Sequence, residues 1–244
     1  LTKKATLVSD AGEREQIRTR IATVWEEMLG NVEQAIVAWN VVLADNARNV
    51  PALRALDRLY QAKGDWRDLA DNLGQQLALS SDPADSIKLL GRLGALREQR
   101  LGEMGGAVET YRKVLQQEPD HAETIAALER VITDPRAREH ELEVAQLLEP
   151  YYKVRGNWPN LIGVYEIEAR HAVDPETKIN LLRLIADGYE VGLDDPMRAY
   201  EALGHRYRLE SLIAASRDRL LFRAQDRAIK RTVAVSDKDM ACGY

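Results

Sequence analysis

The stretch LGALREQRLGEMGGAVETYRKVLQQEP, residues 93–119, is the part of the sequence that predicts the fold. It contains two Leu-Gly pairs, Leu93-Gly94 and Leu101-Gly102. The apolar residues after the second pair recur every three or four positions, which places them on one face of a helix: Met104, Ala107, Val108, Tyr111, Val114 and Leu115. The same spacing occurs 72 residues earlier, at Val32, Ala35, Ile36, Trp39, Val42 and Leu43. Two matching helices behind matching Leu-Gly turns indicate an internal repeat.

The rest of the chain reads as helices separated by isolated glycines and prolines, which favour turns. The turns at Leu29 and Leu101 lie 72 residues apart, but those at Gly64 and Gly156 lie 92 apart. About 20 residues are therefore inserted in the second copy. Thr133-Asp134-Pro135 breaks a helix inside this insertion, and we expect one extra turn and helix there. No segment alternates convincingly with the period of a strand, so an all-α fold of about 11–12 helices is predicted.

Four regions are predicted along the chain: an N-terminal arm (1–12), a repeat array (13–204), a basic capping helix (205–231) and a flexible tail (232–244). The capping segment holds eight Lys or Arg residues against three acidic ones. Its apolar residues are compatible with a helix: Leu209, Leu212, Ile213, Leu220 and Leu221. A terminal helix with a polar outer face would cap the array, because nothing stacks on that face.

The composition argues against several classes of function. A net charge of -5 and a pI near 5.6 oppose a general nucleic-acid binder, which needs a clustered basic surface. The single cysteine, Cys242, supports neither a disulfide framework nor a thiolate metal site. No apolar run approaches the roughly 18–20 residues that span a bilayer, and we expect a cytoplasmic protein.

No cofactor, metal site or catalytic residue is predicted. The four histidines lack the spacing that binds a metal from one helix face: His121, His140, His171 and His205. The four tryptophans occupy repeat-equivalent positions, which favours core packing over a ligand-stacking role: Trp25, Trp39, Trp66 and Trp158. No nucleophile with a nearby base stands out, so the protein is expected not to be an enzyme.

The helix pairs resemble tetratricopeptide repeats. Ala107-x3-Tyr111 followed by Pro119 matches the family's small residue one turn before an aromatic, and Ala35-x3-Trp39 is similar. Gly64-Asp65-Trp66 and Gly156-Asn157-Trp158 look like the turn between the two helices of a repeat.

Two features depart from the family's pattern. In three units the turn after the leading helix, the first helix of each pair, is one residue longer than usual. In addition, Arg97 stands where sister copies have Trp25 and Tyr189. Arg97 is expected either to extend to the surface past a thinner core or to belong to a unit that faces something the others do not.

The resemblance implies a right-handed α-α superhelix, as in large bacterial proteins of this class, that binds partner segments in a concave groove lined by leading helices. Arg54 and Arg58 share a helix face, and family geometry would place them near Lys88 and Arg92 of the next leading helix. These four cations could then hold an acidic peptide or a C-terminal carboxylate. The family's carboxylate-binding asparagines are missing here.

Two alternatives concern these four cations and the function. The cations could form an ordinary solvated face, with Asp57 and Glu98 compensating some of their charge. The leading function is a protein–protein interaction scaffold or adaptor that supports complex assembly without a small-molecule cofactor. A nucleic-acid-associated helical repeat is the second hypothesis, which the basic segment 205–231 allows. Because the chain begins at Leu1 rather than Met, a regulatory or recruiting domain of a larger enzyme is the third.

Overall fold

The computed structural model describes residues 10–204, 207–216, 219–226 and 231–236. Within these residues the chain forms eleven α-helices and three β-strands. The helices are α1 (Ala11–Thr23), α2 (Val32–Asp45), α3 (Val50–Lys63), α4 (Trp66–Leu79), α5 (Pro83–Leu96), α6 (Met104–Gln117), α7 (Ala122–Thr133), α8 (Glu141–Arg155), α9 (Trp158–His171), α10 (Pro175–Asp187) and α11 (Pro196–Gly204). The predicted all-α class and helix number are confirmed for residues 10–204.

The chain divides into two compact units, Leu1–Ala127 and Leu128–Tyr244, and the boundary falls within α7. In the first unit, each helix from α1 to α5 contacts the next helix along the chain. In the second unit, α8, α9, α10 and α11 are in contact in the same sequential way. Packing of each helix on its chain neighbours is the contact pattern of a repeat protein.

Glycines in the left-handed conformation end the helical segments where the sequence predicted turns. The backbone φ is +60° at Gly30, +81° at Gly64, +67° at Gly102 and +62° at Gly156. A residue with a Cβ is strained at such angles, which explains why glycine occupies these positions.

The longer turns predicted after three leading helices are π-helical. α1, α5 and α10 each continue into a five-residue π-turn, namely Val24–Met28, Arg97–Leu101 and Gly188–Gly192. A π-turn accommodates one residue more than an α-helical turn, so it is the physical form of the extra residue.

The predicted apolar stripes form the buried faces of the helices. Ala35 and Trp39 of α2 belong to the core of the first unit, together with Leu56 of α3. In α6, Tyr111 is buried and its ring lies directly over Gly94 of α5. A Cβ placed on Gly94 would be 2.5 Å from the Tyr111 ring, so the small residue is what allows the two helices to approach.

Arg97 bonds to the next helix and does not extend past a thin core. Its Nη1 donates to Thr110 Oγ1 at 2.8 Å and to the Gly106 carbonyl oxygen at 3.2 Å. Thr110 Oγ1 in turn donates to the same carbonyl oxygen at 2.7 Å. The guanidinium group of Arg97 therefore anchors the π-turn after α5 to α6, at the position where other copies have an aromatic ring.

The predicted insertion is confirmed. Helix α7 ends at Thr133, a 3-10 helix covers Pro135–His140, and α8 begins at Glu141. The Asp134 side chain accepts a hydrogen bond from the Arg136 backbone N–H at 2.8 Å, which caps the short helix after the proline break.

The prediction of a capping helix over 205–231 was wrong. The chain forms an antiparallel sheet there in the order β1 (Tyr207–Ser216), β2 (Arg219–Asp226) and β3 (Arg231–Ser236). Leu220, Phe222 and Ala224 recur with the period of a strand, as do Val233 and Val235. The leucines of this segment also fit one face of a helix, which is the pattern on which the helix prediction depends.

The predicted ends of the chain change accordingly. The tail predicted from residue 232 overlaps β3, while residues 237–244 lie outside the described residues. At the other end, α1 begins at Ala11 and not at 13, and residues 1–9 of the predicted arm lie outside the described part of the chain.

Candidate functional site

A cleft of about 450 Å³ lies between α3, the end of α4 and the first turns of α5. Val50, Leu53, Leu79 and Leu89 form its apolar part. The polar residues that line it are Arg54, Gln76, Ser80, Ser81, Asp82, Asp85, Lys88 and Arg92. The cleft therefore combines an aliphatic surface with charged groups of both signs.

Helix α3 places its arginines on the face opposite to its core residues. Leu53, Leu56 and Tyr60 are buried, whereas Arg54 and Arg58 are exposed. Asn49 fixes the start of the helix, because its side chain accepts a hydrogen bond from the Ala52 backbone N–H at 2.8 Å. The division of α3 into a buried face and an exposed face therefore decides which of its side chains are available to a ligand.

Arg54 is the available cation on α3. Its side chain makes no hydrogen bond or ion pair within the described residues. Arg58, one turn later, is paired with Glu26 of the π-turn after α1, with Nη2 at 2.7 Å from Oε1. The other oxygen of Glu26 accepts a hydrogen bond from Trp39 Nε1 at 2.8 Å. Arg58 therefore belongs to a contact among the π-turn after α1, α2 and α3, and it does not line the cleft.

Helix α5 contributes two cations with different environments. Lys88 Nζ is 4.0 Å from Asp85 Oδ1, and both side chains are largely exposed. Such a long surface pair contributes about 0–1 kcal/mol, so Lys88 stays accessible to a ligand. The second cation, Arg92, has a buried partner on α3.

Arg92 and Asp57 form a bidentate pair. Nη1 of Arg92 lies 2.8 Å from Oδ2 of Asp57, and Nη2 lies 2.7 Å from Oδ1. Gln76 Nε2 also donates to Asp57 Oδ2 at 3.1 Å and to Asn72 Oδ1 at 2.7 Å. Burial opposes ionisation of Asp57, but the hydrogen bonds from Arg92 and Gln76 and the charges of Arg92 and Arg58 outweigh it and lower its pKa.

The structure brings three of the four predicted cations to one cleft: Arg54, Lys88 and Arg92. The sequence did not reveal the other polar residues that line it, which are Gln76, Ser80, Ser81, Asp82 and Asp85. Of the two acids expected to compensate the charge, Asp57 does so through Arg92. Glu98 does not line the cleft, because it is buried and accepts a hydrogen bond from the Tyr111 hydroxyl at 2.6 Å. Of the four predicted cations, Arg54 and Lys88 are therefore the two that line the cleft without a strong ion pair.

The helix pair α3 and α4 is the part of the chain that matches a known protein family. The family model for the tetratricopeptide repeat matches residues 52–86. The match begins in α3, includes the Gly64 turn and α4, and ends in α5. Residues 52–86 are thus similar to one tetratricopeptide repeat. The family resemblance predicted from the sequence is confirmed, and the matched repeat is the one that lines the cleft.

Several solved structures are similar to this chain at low sequence identity. The P58(IPK) TPR domain is 15% identical, and the alignment covers 79% of this chain and 51% of that one, with a TM-score of 0.41. This chain thus spans about half the length of that domain. MamA is 18% identical over 82% of this chain and 99% of its own, with a TM-score of 0.37. The TPR2AB domain of yeast Sti1 in complex with pHSP90 is 18% identical over 79% and 75%, with a TM-score of 0.35.

No curated protein sequence matches this chain. Within the described residues, no helix combines the length and apolarity needed to cross a membrane. In the same part of the chain, no group of three or more His, Cys, Asp and Glu side chains could hold a metal ion.

Proposed function

We propose that this protein is a scaffold or adaptor that binds segments of partner proteins in the cleft between α3, α4 and α5 and so supports the assembly of a complex. The observation that carries the proposal is the coincidence of the matched tetratricopeptide repeat with this cleft. Tetratricopeptide repeats generally serve protein–protein interaction. An aliphatic surface beside an exposed, unpaired Arg54 suits a peptide better than it suits a small polar metabolite.

The chemistry of the cleft favours a segment that has an apolar side chain next to an acidic group. Burying one leucine-sized side chain against Val50, Leu79 and Leu89 would contribute about 1.5–3 kcal/mol. A carboxylate near Arg54 and Lys88 would add charge-assisted hydrogen bonds. The apolar contact would supply most of the affinity, and the cations would set orientation and charge preference. A side-chain carboxylate and a C-terminal carboxylate both meet this requirement.

The test is a fluorescence anisotropy titration with three short labelled peptides. They share one leucine-containing core and differ only in a flanking residue, which is Glu, Gln or Lys. We expect saturable binding in the order Glu, Gln, Lys. Arg54→Glu should weaken binding of the Glu peptide by about tenfold and reduce its advantage over the Gln peptide.

The matched control is Lys113→Glu, which makes the same charge change on α6, away from the cleft. It should leave all three affinities within about twofold of the wild type. Arg58 is left intact because Arg58→Glu would place a second carboxylate beside Glu26 and disturb the helix packing. Equal loss of affinity in Arg54→Glu and Lys113→Glu, or no saturable binding at all, would refute the proposed site.

Two further properties stay predictions. We expect the protein to act without catalysing a reaction, as is typical of this family. We also expect a cytoplasmic location, where thiols are kept reduced and a lone cysteine such as Cys242 needs no partner. Imaging of a fluorescent fusion of the natural protein, with fractionation, would test the location.

A further inference from the structure

One cation of the cleft has its charge already satisfied by the protein. Arg92 lines the same cleft as Arg54 and Lys88 and keeps 45% of its side chain exposed. Both of its terminal nitrogens nevertheless bond to Asp57, whose side chain is only 10% exposed. Gln76, which also lines the cleft, donates to the same carboxylate. Arg92 is thus within reach of a ligand but bound in a bidentate pair.

A ligand carboxylate could recruit Arg92 only by taking it from Asp57. That exchange would leave Asp57 charged, largely buried and without its bidentate partner, which is unfavourable. Gln76 alone could not replace Arg92, because an amide donor lacks the charge that balances a buried carboxylate. In the folded protein, therefore, Arg92 is expected to add little to the binding of a second acidic group.

We infer that Asp57 is a specificity-determining residue that keeps the cleft from gaining affinity for a second acidic group in the partner segment. It acts as a positioning residue, through Arg92, and does not touch the ligand. Arg54 and Lys88 then receive one carboxylate, and a second adjacent acidic residue gains nothing from Arg92. This inference rests on the proposed function, and it adds that the cleft does not distinguish one acidic group from two.

The experiment compares two labelled peptides that differ only in having one or two adjacent glutamates beside the apolar core. The wild-type protein should bind them with affinities that agree within about twofold. Asp57→Asn keeps the shape of the side chain but removes its charge, which frees Arg92 for the ligand. In that variant the diacidic peptide should bind about tenfold more tightly than the monoacidic one.

A second variant links the change to Arg92. In Asp57→Asn combined with Arg92→Gln, the affinity ratio should return to within about twofold, because no freed cation remains. A purely structural role of Asp57 would change both affinities together and leave their ratio unaltered. Circular dichroism spectra of the variants would verify that each is folded before titration.

The possible results separate this inference from the proposed function. Binding of both peptides to the wild type, with an unchanged ratio in Asp57→Asn, overturns the inference and leaves the proposed function standing. A strong diacidic preference in the wild type that Arg92→Gln abolishes also overturns it, and this measurement does not depend on folding of the Asp57 variant. Failure of the wild type to bind either peptide overturns the proposed function and the inference together.

Discussion

Two glycines in one helix should respond to the same substitution with opposite signs. Gly91 and Gly94 both lie inside α5. A Cβ on Gly91 would meet nothing within 4 Å, whereas a Cβ on Gly94 would lie 2.5 Å from Cε1 and 2.8 Å from Cδ1 of Tyr111. Gly91→Ala should therefore stabilise the protein, and Gly94→Ala should destabilise it.

The expected magnitudes follow from two opposing effects. Alanine stabilises a helix interior by about 0.5–1 kcal/mol relative to glycine, and this gain in stability applies at both positions. At Gly94 the Tyr111 ring would have to retreat by about 1 Å to reach an ordinary carbon–carbon separation of about 3.5–4 Å. The ring is buried and its hydroxyl is bonded to Glu98, so overpacking should cost about 1–3 kcal/mol. The net loss at Gly94 is then between about 0 and 2.5 kcal/mol, with a central value near 1 kcal/mol.

Urea denaturation followed by circular dichroism measures both changes. The midpoint should rise for Gly91→Ala and fall for Gly94→Ala, with similar slopes for both variants. Equal gains at the two positions would show that the Tyr111 ring moves freely, and the close approach of α5 and α6 would then not limit this repeat. Equal losses of stability in the two variants would refute the assumption that helix propensity decides the effect of Gly91→Ala.

Three further predictions concern aromatic and charged groups of the first unit. Trp39→Ala should lower the free energy of unfolding by about 3–5 kcal/mol, because this indole is buried. Calorimetry on the purified protein would measure the change, and a loss below about 1 kcal/mol would contradict a role of Trp39 in the core. Arg92→Leu should lower the free energy of unfolding by about 2 kcal/mol, which is less than the loss for a fully buried pair because Arg92 is 45% exposed. A urea midpoint equal to that of the wild type would refute this expectation. Because the pKa of Asp57 is lowered, its stabilising effect is present above its unfolded pKa of about 4 and is lost as the pH falls through the lower folded value. Acid titrations should therefore show a smaller loss of stability in Asp57→Asn than in the wild type, and parallel curves would count against the pair.

The helices and turns could be predicted from the sequence because both depend on local features. Apolar spacing identifies the buried face of each helix, and glycine identifies the left-handed turn. The 20-residue difference between the two intervals located the insertion around Thr133 without any structure. The family model, however, matches residues 52–86 and not the stretch 93–119, whose apolar spacing predicts the internal repeat.

The C-terminal segment could not be predicted in the same way. The segment 205–231 has apolar residues that fit a helical face and others that fit a strand, and a sheet is decided by pairing with distant residues. Leu212 pairs with Phe222, and Phe222 also pairs with Val235. Such register is a property of three strands together, which the period of one segment does not reveal.

The site was predictable only to the level of one helix face. A four-residue spacing placed Arg54 and Arg58 side by side on α3. It did not show that Arg58 pairs with Glu26, 32 positions earlier, or that Arg92 pairs with Asp57, 35 positions earlier. Partner choice across helices decides which cations are free, and it depends on packing that sequence spacing does not encode.

The two Gly-x-Trp turns show how the copies diverge while keeping one architecture. In the first unit, the Arg100 guanidinium lies over the Trp66 ring, 4.8 Å from its centroid. In the second unit, the position equivalent to Arg100 is Gly192, and the Trp158 ring packs so closely on it that no Cβ would fit. The same aromatic side chain is thus covered by a cation–π contact in one unit and by bare backbone in the other. Because each helix contacts mainly its chain neighbours, such a change at one interface leaves the others unaltered, and the surface chemistry of each repeat can vary independently of the fold.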